Sequence, residues 1–232
     1  MKTFALVNCS NESVRPLGDA FRLPDLGWEV LDPLQSDFLQ QANRYDGYVI
    51  SGSVHSVVDD ATVPLVANVL SFIRQVNKAS RSPILGICFG AQALAQALGG
   101  QVSTNPNGRF RLGVDTLTWS SRTSSGRWCD PSHITSVAKS HGESVLELPS
   151  GSEVIAASKT TPHEIFLIGG RFLGVQGHPE VDNRGLQDGY MAFHRPAFNE
   201  EQWKEVVLDS QQPIKREMVV ELGRRLLSQG HL

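Results

Sequence analysis

The chain's 232 residues are 40% hydrophobic and 19% charged, a globular composition that excludes a wholly disordered polypeptide. Its 21 basic and 24 acidic side chains leave a net charge of −3, which argues against a dedicated nucleic-acid binder. No run approaches the roughly 18 apolar residues of a membrane span, and Cys9, Cys88 and Cys129 are too few and too far apart for a disulfide framework or a zinc ribbon, so a reducing, cytoplasmic setting is expected.

The opening MKTFALVNCS reads as a strand, Thr3–Cys9, because a secretory leader needs a longer apolar region and a small-residue cleavage site. Short strands are predicted at Trp28–Leu31, before Asp32-Pro33, and at Gly47–Ile50, before the Ser51-Gly52-Ser53 turn. Pro64–Lys78 carries apolar residues at Leu65, Val66, Val69, Phe72, Ile73 and Val76, the three-and-four spacing of a half-buried helix. Pro83–Ile87 is an apolar strand, and Ala91–Leu98 an Ala/Leu-rich helix stopped by Gly99-Gly100. Strands without polar alternation, separated by helices, predict a parallel sheet covered on both faces.

Beyond residue 100 the pattern changes. Gly113–Trp119 alternates, and Glu153–Ala157, Glu164–Ile168 and Phe172–Val175 are closely spaced strands, which predicts antiparallel structure added to the sheet. Ser120–Pro131 reads as an exposed loop. Asn199–Leu227 reads as helices, with Ile214, Met218, Leu222 and Leu226 forming one apolar stripe expected to pack on the core. With no repeat and no linker, residues 1–232 are expected to form one domain.

The most informative segment is Pro83-Ile-Leu-Gly86-Ile-Cys88-Phe-Gly90-Ala-Gln92. A G-x-C-x-G turn between a strand and a helix is the setting of a nucleophile elbow, in which the glycines permit a bend too tight for Cβ atoms. The N–H groups and partial charge of the following helix favour negative charge on the sulfur, and the Phe89 N–H can face a developing oxyanion. The same spacing would also suit a buried structural cysteine, but the strand-to-helix setting favours the nucleophile.

A cysteine nucleophile needs a histidine brought in by the fold. His178 stands in Gly174-Val-Gln-Gly177-His178-Pro179-Glu180, where Glu180 is spaced to accept the second imidazole N–H and hold the tautomer; taken alone, it is also an ordinary surface turn. His55 and His141 are expected in loops, next to Ser and Gly, where they could line a site, whereas His133, His163, His194 and His231 are expected to be solvated. No cluster has zinc-ligand spacing, so no metal is implied.

These residues resemble the class I (triad) glutamine amidotransferases. ILGICFGAQ (Ile84–Gln92) and GVQGHPEV (Gly174–Val181) are similar to the family's nucleophile and histidine motifs; YDGYVISGS (Tyr45–Ser53) resembles its oxyanion strand and turn, and KSHGESV (Lys139–Val145) its substrate-backbone segment. The resemblance implies a three-layer, flavodoxin-like α/β fold with a mostly parallel central sheet, helices on both faces and an antiparallel addition. It implies hydrolysis of a γ-glutamyl amide through a thioester, without a cofactor. Cys88 matches the nucleophile, His178 the base and Glu180 its orienter. Gly52 or Ser53, with Phe89, would supply oxyanion N–H groups; Gln92 would touch the glutamyl part of the substrate, and Ser140 and His141 its α-amino and α-carboxyl ends.

KSHGESV is similar to the GMP synthetase amidotransferase domain, yet no glycine-rich phosphate loop is present, so a synthetase partner would be a separate polypeptide. YVISGSVHS, GICFG and QGHPE together resemble the stand-alone γ-glutamyl peptidase branch. Gly177 stands where amidotransferase domains often carry Phe, which suggests a pocket widened for a bulky leaving group; Ala91 and Ala93 are also smaller than is common around the nucleophile helix. Three readings follow: a free-standing γ-glutamyl hydrolase, a glutaminase subunit feeding a synthetase, and a silent regulatory or binding module. The partner is a small γ-glutamyl molecule, with neither nucleic acid nor membrane expected.

Overall fold

Side chains along the first strands divide between two hydrophobic clusters, as the two-residue period of a sheet requires. In β1 (Thr3–Val7), Ala5 and Val7 enter one cluster and Phe4 and Leu6 the other. In β3 (Gly47–Ile50), Tyr48 and Ile50 oppose Val49, and in β4 (Ile84–Ile87), Ile84 opposes Leu85 and Ile87. A sheet buried on both faces accounts for the near-continuous apolar runs. The computed structural model describes residues 2–10, 14–24, 26–120 and 133–232; the predicted loop after Ser120, with Cys129, lies outside them.

The remaining strands are β2 (Gly27–Leu31), β5 (Gln101–Thr104), β6 (Arg111–Trp119), β7 (Ser136–His141), β8 (Glu143–Glu147), β9 (Ser152–Ser158), β10 (Ile165–Ile168) and β11 (Phe172–Val175). The main sheet is nine-stranded, in the order β2-β1-β3-β4-β11-β10-β9-β6-β7. From β2 to β11 the pairings are parallel; from β11 to β7 they are antiparallel. Strands β5 and β8 form a separate antiparallel pair. The parallel half with its antiparallel extension matches the expected architecture.

Helices α2 (Pro64–Ala79) and α3 (Phe89–Ala97) contribute Val66, Val69, Phe72, Ala91 and Leu94 to one face, while α1 (Arg15–Phe21) and the C-terminal α7 (Glu217–Gln229) contribute Leu17, Phe21, Val219, Leu222 and Leu226 to the other. A third, smaller cluster joins Leu112 and Val114 of β6 to Val181, Leu186, Met191 and Val206. It seats a short helical run, α4 (Asn183–Gly185), a π turn (Leu186–Met191) and α5 (Ala192–His194), followed by α6 (Glu200–Ser210). Among the described residues, no helix is long and apolar enough to cross a membrane.

Two expectations need correction. The stripe Ile214–Leu226 is not one helical face: α7 begins at Glu217, and Ile214 packs on the third cluster. Helix α3 begins at Phe89, immediately after the cysteine.

Candidate active site

Strands β3, β4 and β11 are parallel neighbours, so their C-terminal ends open on the same edge of the sheet, the edge where open α/β sheets bind ligands. Pairings Ile50↔Gly86 and Val175↔Ile87 keep those ends level. The chain leaves β3 as Ser51-Gly52, β4 as Cys88, and β11 as Gln176-Gly177-His178. Three segments far apart in sequence thus meet. A Cβ on Gly52 would sit 3.3 Å from His178 Cε1 and 3.7 Å from Cys88 Cβ, so these three residues are mutual neighbours.

Cys88 has φ 51° and ψ −106°, and among the described residues no other non-glycine has a positive φ. Such backbone strain persists only where the surroundings enforce it. Here Cys88 N–H donates to Val175 O at 2.8 Å, and the flanking glycines let β4 and α3 touch: a Cβ on Gly86 would lie 2.5 Å from Gly90 O, and one on Gly90 would lie 2.4 Å from Ile50 O. The bend presents the sulfur at the N-terminus of α3. Cys88 is 6% exposed, close to full burial. Cys9, by contrast, is wholly buried, and burial pushes its thiol up to about 12.

His178 donates its backbone N–H to Ala138 O at 2.8 Å, which ties the end of β11 to β7. Its Nδ1 lies 2.8 Å from Glu180 Oε1 and 3.1 Å from the Tyr190 hydroxyl. Its Nε2 is buried and makes no hydrogen bond among the described residues; such bonds often tighten only when substrate is bound. Burial alone would push this imidazole down, but the Glu180 carboxylate and the Cys88 sulfur outweigh it and raise it to about 10. These neighbours favour the protonated ring.

The sulfur has two further neighbours at 3.8 Å: the Ser140 carbonyl oxygen, which can accept its S–H, and Gln176 Nε2, which can donate to it. Gln176 is fully buried, and its Oε1 accepts from Gln92 Nε2 at 3.4 Å. Gln92 Nε2 also donates to Glu143 O at 2.8 Å, so this amide donor is engaged by the protein. Beside the cysteine, Ser51 Oγ accepts from Cys9 N–H at 2.8 Å and donates to Gly52 O at 2.9 Å. A trans peptide carries its N–H opposite its C=O, so the Ser53 N–H points away from Ser51.

His141 lies at the end of β7, not in a loop, and is 4% exposed. Its Nδ1 lies 2.9 Å from Glu143 O and 3.1 Å from Asn105 Oδ1. Two acceptors require the proton on Nδ1. Burial and the neighbouring Lys139 and His178 hold this ring well below its ordinary value, so it is neutral with Nε2 as an acceptor. His55 pairs with Asp60 at 3.1 Å instead of joining these groups. His194 is not solvated as expected: its Nε2 is 3.1 Å from Ser140 Oγ, and its ring packs on Phe110 at 4.5 Å. Among the described residues, no group of His, Cys, Asp and Glu side chains is arranged to hold a metal ion.

A model of the class-I glutamine amidotransferases matches residues 24–194, most of the chain, with Gly52, Cys88, His141, His178 and Glu180 inside the match. The chain belongs to this family. Gamma-glutamyl peptidase 3 of Arabidopsis thaliana is 31% identical over 68% of this chain and 65% of its own length. A glutamine-hydrolysing GMP synthase of Anaplasma marginale is 33% identical over 78% of this chain and 34% of its own length. The chain thus spans less than two thirds of either relative. A glutamine amidotransferase of Thermotoga maritima, 20% identical, has the same fold, with a TM-score of 0.74 over 99% of this chain and 97% of that one.

In this member of the family, Gly177 does not widen a pocket. A Cβ there would point inward, 2.6 Å from Val137 Cγ2 and 3.0 Å from both Ala138 O and Glu164 Oε1. The missing side chain makes room for Glu164, whose Oε1 accepts the Gly177 N–H at 2.8 Å. Ala91 and Ala93 likewise pack into the core. Glu164 pairs with Lys139, both wholly buried; Lys139 also donates to Thr161 Oγ1 at 3.1 Å, and Ser158 Oγ to Glu164 Oε2 at 3.2 Å. Breaking one side of such a pair leaves a bare charge in the interior. Lys139→Met should therefore cost about 3–5 kcal/mol, read as a lower denaturant midpoint; a loss below about 1 kcal/mol, the level of an exposed pair, would mean that the carboxylate finds solvent.

Proposed function

We propose that this amidotransferase hydrolyses γ-glutamyl amide bonds, with Cys88 as nucleophile, His178 as proton carrier and Glu180 as its orienter. The observation that carries the reading is the convergence of Gly52, Cys88 and His178 at three adjacent strand ends, with Glu180 on His178 Nδ1 at 2.8 Å. The sulfur, its proton passed to His178 Nε2, attacks the γ-carbonyl carbon, and the tetrahedral oxyanion is met by the N–H groups of Phe89 and of Gly52 or Ser53. The locked Gly52 carbonyl favours Ser53. His178 Nε2–H passes its proton to the leaving nitrogen; the C–N bond breaks and a γ-glutamyl thioester remains. Water then attacks the thioester, giving a proton to Nε2 as it does so. The C–S bond breaks, the new γ-carboxyl group gives its remaining proton to solvent, and free γ-carboxylate leaves with the Cys88–His178 pair restored.

The ends of the glutamyl group need different partners. A neutral His141 with only Nε2 to offer is an acceptor, suited to an α-ammonium and not to a carboxylate. Ser140 lies beside it as a polar partner for the α-carboxyl end. Gln92 Oε1 supplies a further acceptor.

The likeness to a glutamine-hydrolysing GMP synthase favours a second reading, in which the chain releases ammonia for a separate synthetase. The two part in one assay. The chain, with no other protein added, is given glutamine, γ-glutamyl dipeptides and glutathione, and released ammonia and released amine are measured separately. Amine release from γ-glutamyl peptides, at a kcat/KM at least about tenfold above that for glutamine, is expected. A marked preference for glutamine, or turnover that waits for a synthetase, would defeat the peptidase form. A silent module would resist covalent labelling at Cys88 by an electrophilic glutamine analogue.

A further inference from the structure

Tyr190 belongs to none of the motifs that carry the family likeness, yet it touches the proposed proton carrier. It sits in the π turn Leu186–Met191, a wider winding that recurs at functional sites. Leu186 and Met191 anchor that turn in the third cluster, so its register is set by packing. Tyr190 and His194, four residues apart, both reach the site: the Tyr190 hydroxyl is 3.1 Å from His178 Nδ1, and His194 Nε2 is 3.1 Å from Ser140 Oγ. The rings of Tyr190 and His178 also meet, with centroids 4.8 Å apart and planes at 42°.

The direction of the Tyr190 bond follows from its neighbour. An ionised Glu180 can only accept, and at 2.8 Å it requires a hydrogen on Nδ1. That hydrogen then has a second acceptor, the Tyr190 oxygen. We propose that Tyr190 is a positioning residue that shares the His178 Nδ1–H with Glu180, holding the ring so that Nε2 faces Cys88. It acts through His178. This inference rests on the catalytic reading of Cys88 and His178 for its kinetic consequences, though not for its geometry.

The groups facing His178 are Glu180 from the turn after β11, Cys88 from the turn after β4, His141 from β7 and Tyr190 from the π turn. Glu180 and Cys88 raise the imidazole, and His141 is neutral. Removing the Tyr190 hydroxyl takes one acceptor from the imidazolium, so it favours loss of the proton.

The test is Tyr190→Phe, which keeps the ring contact, made in the parent and in a Glu180→Ala background. In the parent, kcat should fall roughly three- to tenfold with KM within about twofold, the size expected when one of two acceptors on a ring is lost. In Glu180→Ala, where Tyr190 is the remaining partner, the further loss should exceed about thirtyfold. The alkaline limb of kcat/KM should also move to lower pH. A packing role alone would give equal losses in both backgrounds and leave the limb in place. Independently of turnover, the His178 Nδ1–H proton resonance of the resting protein should shift in Tyr190→Phe; an unmoved resonance overturns the proposal. If turnover survives Cys88→Ala, the catalytic reading fails while the resonance still decides whether the bond exists.

Discussion

Cys88→Ala should abolish turnover of every γ-glutamyl substrate and leave the fold in place. The substitution removes one sulfur atom and no backbone hydrogen bond: Cys88 N–H still donates to Val175 O, and the close fit of Gly86 against Gly90 is untouched. Alanine suffers the same strain at φ 51° as cysteine does, so stability should change little. Chemistry loses its nucleophile altogether: the groups recorded against the sulfur, the Gln176 amide nitrogen and the Ser140 carbonyl oxygen, cannot take its place. Turnover and thermal unfolding, measured on one preparation, check this. A residual rate above about a hundredth of the parent's would mean that the bond is cleaved elsewhere.

His178→Ala should cost about 10³-fold or more in kcat, because both the proton for the leaving nitrogen and the acceptor for the attacking water are lost. A loss below about tenfold would hand the role to another base. The parent should show an alkaline limb in kcat/KM near the value of about 10 to which the imidazole is raised. Above it the sulfur can still attack, but the leaving amine receives no proton. Glu180→Gln removes a negative neighbour, so the limb should move toward lower pH. Stability is linked to the same group. A folded state that holds this proton more tightly than the unfolded chain gains its full contribution below the ordinary 6.5 and loses it as pH rises through about 10. The measurements are kcat/KM and denaturant midpoints from pH 6 to about 11; a limb that stays put in Glu180→Gln would remove Glu180 from the role.

The features legible in the chain were those whose cause is local. Gly86 and Gly90 around Cys88 announce a bend that admits no Cβ, and apolar runs such as Ile84–Ile87 announce a strand covered on both sides. The segment Ser136–His141 was not legible as a strand, although every residue of it is buried. Its Lys139, Ser140 and His141 look like solvent-facing residues until their partners are known: Glu164, the Cys88 sulfur and His194 near the first two, and Asn105 near the third. Gly177 was misread for the same reason. Its small size serves Glu164, thirteen residues earlier in the chain, and not the pocket.

The amino-acid order by itself determined which groups could do chemistry here and how each is locally held: a thiol on a tight glycine-flanked bend, and an imidazole two residues from a carboxylate across a rigid proline. Those properties depend on backbone sterics within a few residues. Only the tertiary structure decided which groups surround them. The pairing order β3-β4-β11 brings Gly52, Cys88 and His178 to one edge, and the third cluster swings Tyr190 and His194 onto that edge from a run with no motif of its own. Contacts between residues tens of positions apart are set by strand order and core packing, and neither is written in the spacing of any single segment.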